Sequence, residues 1–501
     1  MKKVLLLSVV LTIAWATSSA YNFMVDGIAY NIKATNSVIV TYPNNSAPTS
    51  SSPSTYSGKV TIPEKVSYSG KTYNVTAIGE DAFFYASGLT EVSIPNTVTE
   101  IDTYAFNKCT ALTSVTIPNS VTIIKGNAFK SCTSLKSVTL GNSVETISGG
   151  AFYQCSALTS VSIPNSVKKI GPSAFLGCSE MASLTIGNSV TTIDNQAFYQ
   201  CVKLTSVILP NSVTYIGDNA FYSCTGLTSI TIPNSVTETG TSVFSGCRAL
   251  TSATIGNGLT ALSKQMFRNC NQLNSVSISN SVTTIGPAAF YSCNGLTSIS
   301  IPNSVTEIAD EAFYGCSGLT SITIPNSVKT IGNYAFKLCS KITSATIGNS
   351  VTTIGKEVFY YNSKLTSVTI GNSVTEMGTN VFQGCSNLAE VHARPVNPPT
   401  IVYSTFYSDN YSWAVLYVPQ GKKSAYSSAE GWKEFNTVKE DAMSGDVNGD
   451  GVVDVADANI IINIVLGKDS ASKYGGRADV TGEGDVDVSD INAVLNIILG
   501  K

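Results

Sequence analysis

At 501 residues the chain is long enough for several domains, and its 43% apolar content supports a real core. Only 13% of residues are charged and the net charge is −3, with ten acidic residues from Asp446 to Asp490 against four basic ones from Lys468 to Lys501. The remainder is near neutral, which gives no electrostatic case for a nucleic acid or an anionic membrane as partner. A single histidine, His392, excludes most His-based acid–base or nucleophilic catalysis.

Residues 1–20 open with Lys2 and Lys3, run apolar from Val4 to Ala16 and end on the small residues Ser18 and Ala20. The spacing predicts a secretory signal peptide, since the apolar run is too short to span a bilayer. No cysteine follows the expected cleavage point, which argues against a lipoprotein anchor, and no later segment is apolar enough to span. The protein is therefore expected to be secreted, either extracellular or attached to a cell surface. Residues 21–88 predict strands at YNFMVDGIAYNI and NSVIVTYP, then an exposed Ser/Pro/Thr-rich loop from Asn44 to Ser57. Val60 to Pro63, Val75, Ile78, Ala82 and Phe83 fit a degenerate first coil within an N-terminal cap.

From Leu89 to Asn387 a unit of 23 residues recurs thirteen times without insertion or deletion; Leu319–Lys341 reads LTSITIPNSVKTIGNYAFKLCSK. Self-similarity at a short fixed period predicts a solenoid. One unit cannot bury its own apolar face, whereas stacked units share a continuous core. Apolar residues hold places 1, 4, 6, 10, 13, 17 and 18, as in Leu227, Ile230, Ile232, Val236, Val243 and Phe244, with Thr239 the exception. The LTSVTIP opening predicts a short strand, Pro-Asn-Ser or Gly-Asn-Ser a turn, and SVTTIG a second extended piece. Parallel strands are expected along one side.

Place 18 is phenylalanine from Phe106 to Phe382, a predicted buried spine in which Phe221→Ala should cost about 3–5 kcal/mol in a thermal melt. All twelve cysteines stand at place 21, from Cys109 to Cys385, with Asn362 the only substitute. Cys109 to Cys339 is a run of eleven, an odd number, and Cys385 lies two coils from Cys339, so complete pairing is excluded. Interchange with Asn points to a small buried side chain that packs or bonds to backbone. One cysteine per coil offers no CxxC pair for zinc. At place 19, Tyr153, Tyr199, Tyr222, Tyr291, Tyr314 and Tyr360 form an interrupted stripe. It either packs flat over the neighbouring coil or presents a ligand surface for sugar or protein. Ser and Thr at places 3 and 5, as in Ser321 and Thr323, predict hydroxyl ladders on a solvated strand face.

After Asn387 the repeat breaks. Leu388 and Val391 start a strand that Pro395, Pro398 and Pro399 should stop, and residues 413–439 predict a closing strand and a short helix. Residues 388–440 are assigned as a C-terminal cap and 441–445 as a linker.

The LxxLxLP opening, the AFxxC closing and Pro118, Pro164 and Pro302 in register make residues 89–387 resemble the BspA-type leucine-rich repeat of bacterial and protist surface proteins. The resemblance implies a mainly β solenoid with β-rich caps, acting as a secreted or surface-exposed interaction module, and it supplies no ligand.

The tail, residues 446–501, is a duplication with a period of 33: VDVADANIIINIVLGK matches VDVSDINAVLNIILGK. Asp446, Asn448, Asp450, Asp454 and Asp457 hold loop places 1, 3, 5, 9 and 12, with Gly451 at the turn and the carbonyl of Val452 at place 7. Asp479, Thr481, Glu483, Asp487 and Asp490 repeat the set, with Gly484 at the turn and the carbonyl of Asp485 at place 7. Oxygen ligands at this spacing converge on a hard cation. Helices are predicted at Ala458–Leu466 and Ile491–Leu499, with none before either loop. This loop–helix duplication closely resembles a type I dockerin, which implies a small all-α domain, two Ca²⁺ ions and a cohesin-bearing scaffold as partner. Places 10 and 11, which meet the cohesin in such domains, are Val455 and Ala456, then Val488 and Ser489. Their apolar character implies a contact unlike that of the many clostridial dockerins with Ser-Thr pairs.

No carboxylate pair or nucleophile constellation stands on the repeats; Glu100, Glu238, Glu307 and Glu376 recur singly at one place, expected in a turn. The expected function is non-enzymatic binding of a host or matrix protein or a glycan, with the tail as anchor. The alternative is a targeting component of a cellulosome-like, polysaccharide-degrading complex.

Overall fold

The structure is a computed structural model that describes residues 20–441, 445–448, 453–474 and 476–499. The signal-peptide prediction and most of the linker lie outside the described residues, as do Asp450, Gly451 and Val452. The chain divides into two compact units, one ending at Leu227 and one beginning at Thr228.

In the first unit, β1 (Phe23–Val25), β2 (Ile28–Ala34) and β3 (Ser37–Thr41) form an antiparallel meander. The expected single strand at YNFMVDGIAYNI is broken by a two-residue turn, with Asp26 at φ 50° and Gly27 at φ 76°. Asp-Gly between alternating apolar residues favours this hairpin, because both central residues must take positive φ. Ser69 and Gly70, at φ 50° and 76°, make the same turn between β5 (Lys65–Tyr68) and β6 (Lys71–Ile78). β3 runs parallel to β6, and β4 (Ser57–Thr61) runs parallel to β7 (Gly88–Ser93), so residues 57–88 already trace a coil. Val60, Ile62, Val75, Ile78, Ala82 and Phe83 are all buried in it.

From β7 onward each coil adds to two parallel ladders rather than one. Ser114–Thr116, Ser137–Thr139 and Ser160–Ser162 stack in register on the opening side. The SVTTIG piece gives a second ladder of two-residue strands, such as Glu100–Ile101, Ile123–Ile124 and Thr146–Ile147. Glu100, Glu238, Glu307 and Glu376 therefore sit on this second ladder, not in a turn. Both ladders close at 23 residues because opening and turn are the same length in every coil.

A third line of inter-coil bonds runs through backbone that is not strand. At places 16, 18 and 20 the amides of Gln196, Phe198 and Gln200 donate to the carbonyls of Asp218, Ala220 and Tyr222, at 2.7, 2.8 and 2.8 Å. The intervening amides turn inward, as Tyr199 does to Gln196 at 3.1 Å. That alternation requires left-handed backbone at places 16 and 20, seen at Gln196 and Gln200 with φ 57° each. A left-handed residue other than glycine is unfavourable by about 1–2 kcal/mol. Place 20 accordingly holds glycine in four coils, at Gly177, Gly246, Gly315 and Gly384.

Inside the coils the phenylalanine rings stack face to face. Centroids lie 4.8 to 5.4 Å apart from Phe83 to Phe221. In the second unit a like column runs from Phe244 to Phe406. All twelve cysteines are free and buried. Each thiol with a described bond donates to the carbonyl of the phenylalanine 26 residues earlier, as Cys132 does to Phe106 and Cys316 to Phe290, at 3.1 and 3.0 Å. Asn362 substitutes through its amide, donating to the Phe336 carbonyl at 3.1 Å, and leaves its own Oδ1 buried without a partner. Asn362→Ala should lose about 1–3 kcal/mol by orphaning that carbonyl, while Asn362→Cys should match or exceed the parent in a denaturant melt.

In the second unit the expected strand at Leu388 and Val391 forms as Glu390–Ala393, but the solenoid does not stop there. Val415–Val418 and Thr437–Glu440 extend the same parallel sheet, giving about sixteen turns rather than thirteen. The predicted short helix is α2 (Lys423–Ser428), preceded by α1 (Asn410–Trp413). Larger side chains fill these irregular coils: Trp432 and Tyr426 are fully buried, with Trp432 Nε1 donating to the Pro399 carbonyl and the Tyr426 hydroxyl to that of Pro395, both at 2.8 Å. The prolines end one strand and then supply acceptors to the aromatic residues that resume the coil. Among the described residues no helix is long and apolar enough to cross a membrane.

Candidate functional site

The tail builds each loop onto the start of a helix. α3 (Val455–Val465) and α4 (Val488–Ile498) begin three residues earlier than predicted. The reason is a reciprocal cap: Asp454 accepts from the Ala456 amide at 2.7 Å while Asp457 accepts from the Asp454 amide at 2.9 Å. Asp487 and Asp490 repeat it, at 2.6 Å from the Ser489 amide and 3.0 Å from the Asp487 amide. An acidic N-cap with a carboxylate three residues on satisfies orphan amides and opposes the helix dipole, so loop places 10 to 12 become the first helical turn. A short 3-10 turn at Ala471–Tyr474 precedes the second loop, where no helix was predicted.

The place-12 carboxylates are fully buried and tie the loops shut. Asp457 Oδ1 accepts from the amides of Val447 and Asn448 at 2.7 and 3.0 Å. Asp490 Oδ1 accepts from the amide and hydroxyl of Thr481, at 2.9 and 3.0 Å. At place 1, Asp446 is buried, and Asp479 gathers the amides of Gly482, Glu483 and Gly484 at 2.7 to 3.1 Å. Carboxylate oxygens of Glu483, Asp487 and Asp490 lie within 4.8 Å of one another; Asp479 is not in that group, and Asp485 is exposed. Hydrogen bonds from the Ser489 hydroxyl and amide hold the Asp487 carboxyl below the usual carboxylate range. Among the described residues no lysine or arginine pairs with Glu483, Asp487 or Asp490. An all-oxygen set with three carboxylates and no protein counter-ion fits a hard divalent cation.

Beneath the loops, Val447, Ala458, Ile461, Ala478 and Val494 form a core separate from the solenoid's. The proposed cohesin-contact residues open the two helices. Val455 and Val488 are 60% and 58% exposed, Ala456 is exposed, and Ser489 is half-buried with its hydroxyl on Glu483.

On the solenoid, Tyr153, Tyr199, Tyr222, Tyr291, Tyr314 and Tyr360 are all half-buried. Tyr199 stacks on Tyr222 at 4.9 Å and Tyr291 on Tyr314 at 4.6 Å. Cations cover others: Lys130 lies 4.8 Å from the Tyr153 ring, Arg268 4.5 Å from Tyr291 and Lys337 4.4 Å from Tyr360. Each of the six rings thus has at least one face against a side chain of a neighbouring coil. These cation partners were not singled out from sequence, although Lys130, Arg268 and Lys337 each stand at place 19 one coil before a tyrosine. His392 is stacked on Tyr417 at 4.5 Å, with Nδ1 3.4 Å from Asp441.

Two family models match the chain. The BspA type Leucine rich repeat region (6 copies) matches residues 76–204, 191–319 and 283–412, and the Dockerin type I domain matches residues 444–499. No curated protein matches. Among solved structures, a leucine-rich repeat protein from Bacteroides ovatus ATCC 8483 is 31% identical, with 75% of this chain and 95% of that one covered and a TM-score of 0.56. A leucine rich cell surface protein from Faecalibacterium prausnitzii A2-165 is 28% identical over 66% of this chain and 95% of that one, with a TM-score of 0.42. With the 23-residue coils, the phenylalanine column and the paired acidic loops in place, the chain belongs to the BspA-type leucine-rich repeat family and carries a C-terminal type I dockerin domain.

Proposed function

We propose that this is a secreted, non-catalytic interaction protein, in which the solenoid binds an extracellular host protein, matrix protein or glycan and the tail docks on a cohesin-bearing scaffold when calcium is bound. The observation that carries the reading is the second loop, where Glu483, Asp487 and Asp490 converge with no protein counter-ion among the described residues while Val488 beside them stays exposed. In this reading each loop holds one Ca²⁺. Asp446, Asn448, Asp450, Asp454 and Asp457 serve the first with the Val452 carbonyl, and Asp479, Thr481, Glu483, Asp487 and Asp490 the second with the Asp485 carbonyl. Val455, Ala456, Val488 and Ser489 meet the cohesin.

The presence of a dockerin also favours a second reading, a targeting subunit of a cellulosome-like, polysaccharide-degrading complex. Pull-down of the full chain by immobilised cohesins in calcium, with release by a chelator, is the expected result for both. Failure to bind any cohesin of a matched panel would remove the anchoring role. Release of reducing sugar from polysaccharide by the protein alone would overturn the non-catalytic reading.

A further inference from the structure

The turn side of the second unit carries a charge bias that the first unit lacks. At places 14 to 23 of the coils between residues 240 and 387 there are seven basic residues and three acidic ones; the matching places between residues 102 and 226 hold four of each. Places 1 to 13 of the second unit lean the other way, with one basic residue, Lys329, against Glu238, Glu307 and Glu376.

The bias is organised around a line at place 19. The Arg268 guanidinium lies 4.5 Å from the Tyr291 ring, Tyr291 and Tyr314 stack at 4.6 Å and 2°, and Lys337 reaches Tyr360 at 4.4 Å. Five successive coils thus present guanidinium, phenol, phenol, ammonium and phenol. Lys337 is neutralised by Glu357 at 2.6 Å. Arg248, Lys264, Arg268, Lys341 and Lys364 make no ion pair among the described residues. Packing on Tyr291 holds the Arg268 head in one orientation, which lowers the entropy lost when it meets an anion.

We propose that this line, from Arg268 to Tyr360, binds an acidic polysaccharide. Carboxylate or sulfate groups pair with Arg268 and with the lysines at places 15 and 23, and sugar hydroxyls bond to the phenol hydroxyls of the half-buried tyrosines. The inference rests on the solenoid being the ligand-binding module and names the ligand's chemistry. A neutral glycan that stacks on aromatic faces is disfavoured because each of these rings already has at least one face against an adjacent coil. Single-stranded nucleic acid needs the same open faces for its bases. Duplex nucleic acid carries a charge about every 1.7 Å, far denser than an excess of four positive charges over places 14 to 23 of these coils. A chain of moderate, regularly spaced charge engages donors on several coils at once, and its affinity grows by that multivalency.

The test uses the full-length protein in calcium, with polygalacturonate, chondroitin sulfate, a neutral mannan and duplex DNA as probes in affinity electrophoresis. Retardation by at least one acidic polysaccharide is expected, weakening about tenfold or more in high salt. Arg268→Gln with Lys264→Gln should weaken it by a similar factor, and Lys130→Gln, at place 19 of the first unit, should leave it unchanged. Circular dichroism of each variant reports whether the coils remain intact. The polygalacturonate and chondroitin sulfate arms separate carboxylate from sulfate recognition. Binding to mannan alone, to a matrix protein without any polysaccharide, or to an acidic polymer with no loss in the double variant would overturn the inference while leaving the ligand-module reading standing. DNA bound as tightly as the best polysaccharide, with the same loss in the variant, would overturn the polysaccharide assignment. Binding to no probe and to no matrix protein would overturn both readings.

Discussion

Calcium added to the isolated Ser444–Lys501 segment should raise its helical circular dichroism, and Asp446→Ala together with Asp479→Ala should abolish the gain. Among the described residues the two helices share a core of five buried apolar side chains, Val447, Ala458, Ile461, Ala478 and Val494. A domain this small seldom draws more than about 3–5 kcal/mol from its core alone. Against that stands the repulsion of four carboxylates in each loop, at Asp446, Asp450, Asp454 and Asp457 and at Asp479, Glu483, Asp487 and Asp490, ahead of any contribution from Asp485. A bound divalent cation removes the repulsion, and a ligand held at a thousand times its Kd stabilises the folded form by about 4 kcal/mol. That exceeds any single interaction in the tail and is enough to turn a partly unfolded segment into an ordered one. The place-1 substitutions are informative because the Asp479 carboxylate already gathers three loop amides. Alanine there removes both a metal ligand and the residue that shapes the loop. Calorimetry should count two ions in the parent segment. A segment as helical without calcium as with it, or no heat of calcium binding, would refute the calcium-dependent anchor.

Much of this architecture was legible in the sequence because its determinants are local and repeated. A 23-residue period without gaps leaves one stacking register, and the same residue at one place in every coil, such as the phenylalanine from Phe106 to Phe382, can only form a column. Repetition also explains Asn362, whose exchange with cysteine pointed to a small buried side chain that packs or bonds to backbone, and the Phe336 carbonyl is the acceptor. The left-handed residues at places 16 and 20 were less legible. Nine of thirteen coils hold something other than glycine at place 20, including Leu338 at φ 61° and Tyr361 at φ 58°. Tertiary bonding between coils overrides local preference there, and only Gly150 at place 16 and Gly177, Gly246, Gly315 and Gly384 at place 20 betray it. Two Gly-containing hairpins at Asp26-Gly27 and Ser69-Gly70 carried a readable signal that the strand pattern around them masked. The last coils escaped because they keep the sheet register but change spacing, Glu390 pairing with Val415 and Val415 with Thr437, so no period betrays them. In the tail, the residue spacing names the metal loop, whereas the reciprocal caps of Asp454 with Asp457 and Asp487 with Asp490 set the helix starts.

The solenoid should lose stability steeply above about pH 9, as buried thiols that are protonated in the coils ionise once exposed. Burial pushes Cys224, Cys316 and Cys385 up to about 12, and raises Cys132, Cys155, Cys178, Cys201, Cys293 and Cys339 well above the ordinary value. The physical cause is plain at Cys316, whose thiol donates to the Phe290 carbonyl at 3.0 Å with no exposure to solvent. A thiolate there would place a charge against a carbonyl oxygen in an apolar core. Because the folded pKa lies above the unfolded value near 8.5, the stabilisation is fully present below that pH and is lost as pH rises through the folded pKa. Each such thiol contributes a slope of about 1.4 kcal/mol per pH unit in that window. Tyrosines and lysines also titrate in alkali, so the decisive comparison is a variant that keeps the carbonyl's donor and removes the proton. Asn362 shows that asparagine fits the place, and Cys293→Asn with Cys316→Asn should shift the alkaline unfolding midpoint upward even if its orphan amide oxygens lower stability at pH 7. The same protonation keeps the native thiols inert to alkylation at pH 8, whereas unfolding without reductant should expose most of the twelve. Two or fewer reactive thiols in the unfolded chain would mean disulfides instead of a ladder. An alkaline midpoint that does not move in the double variant would mean that the thiols do not set it.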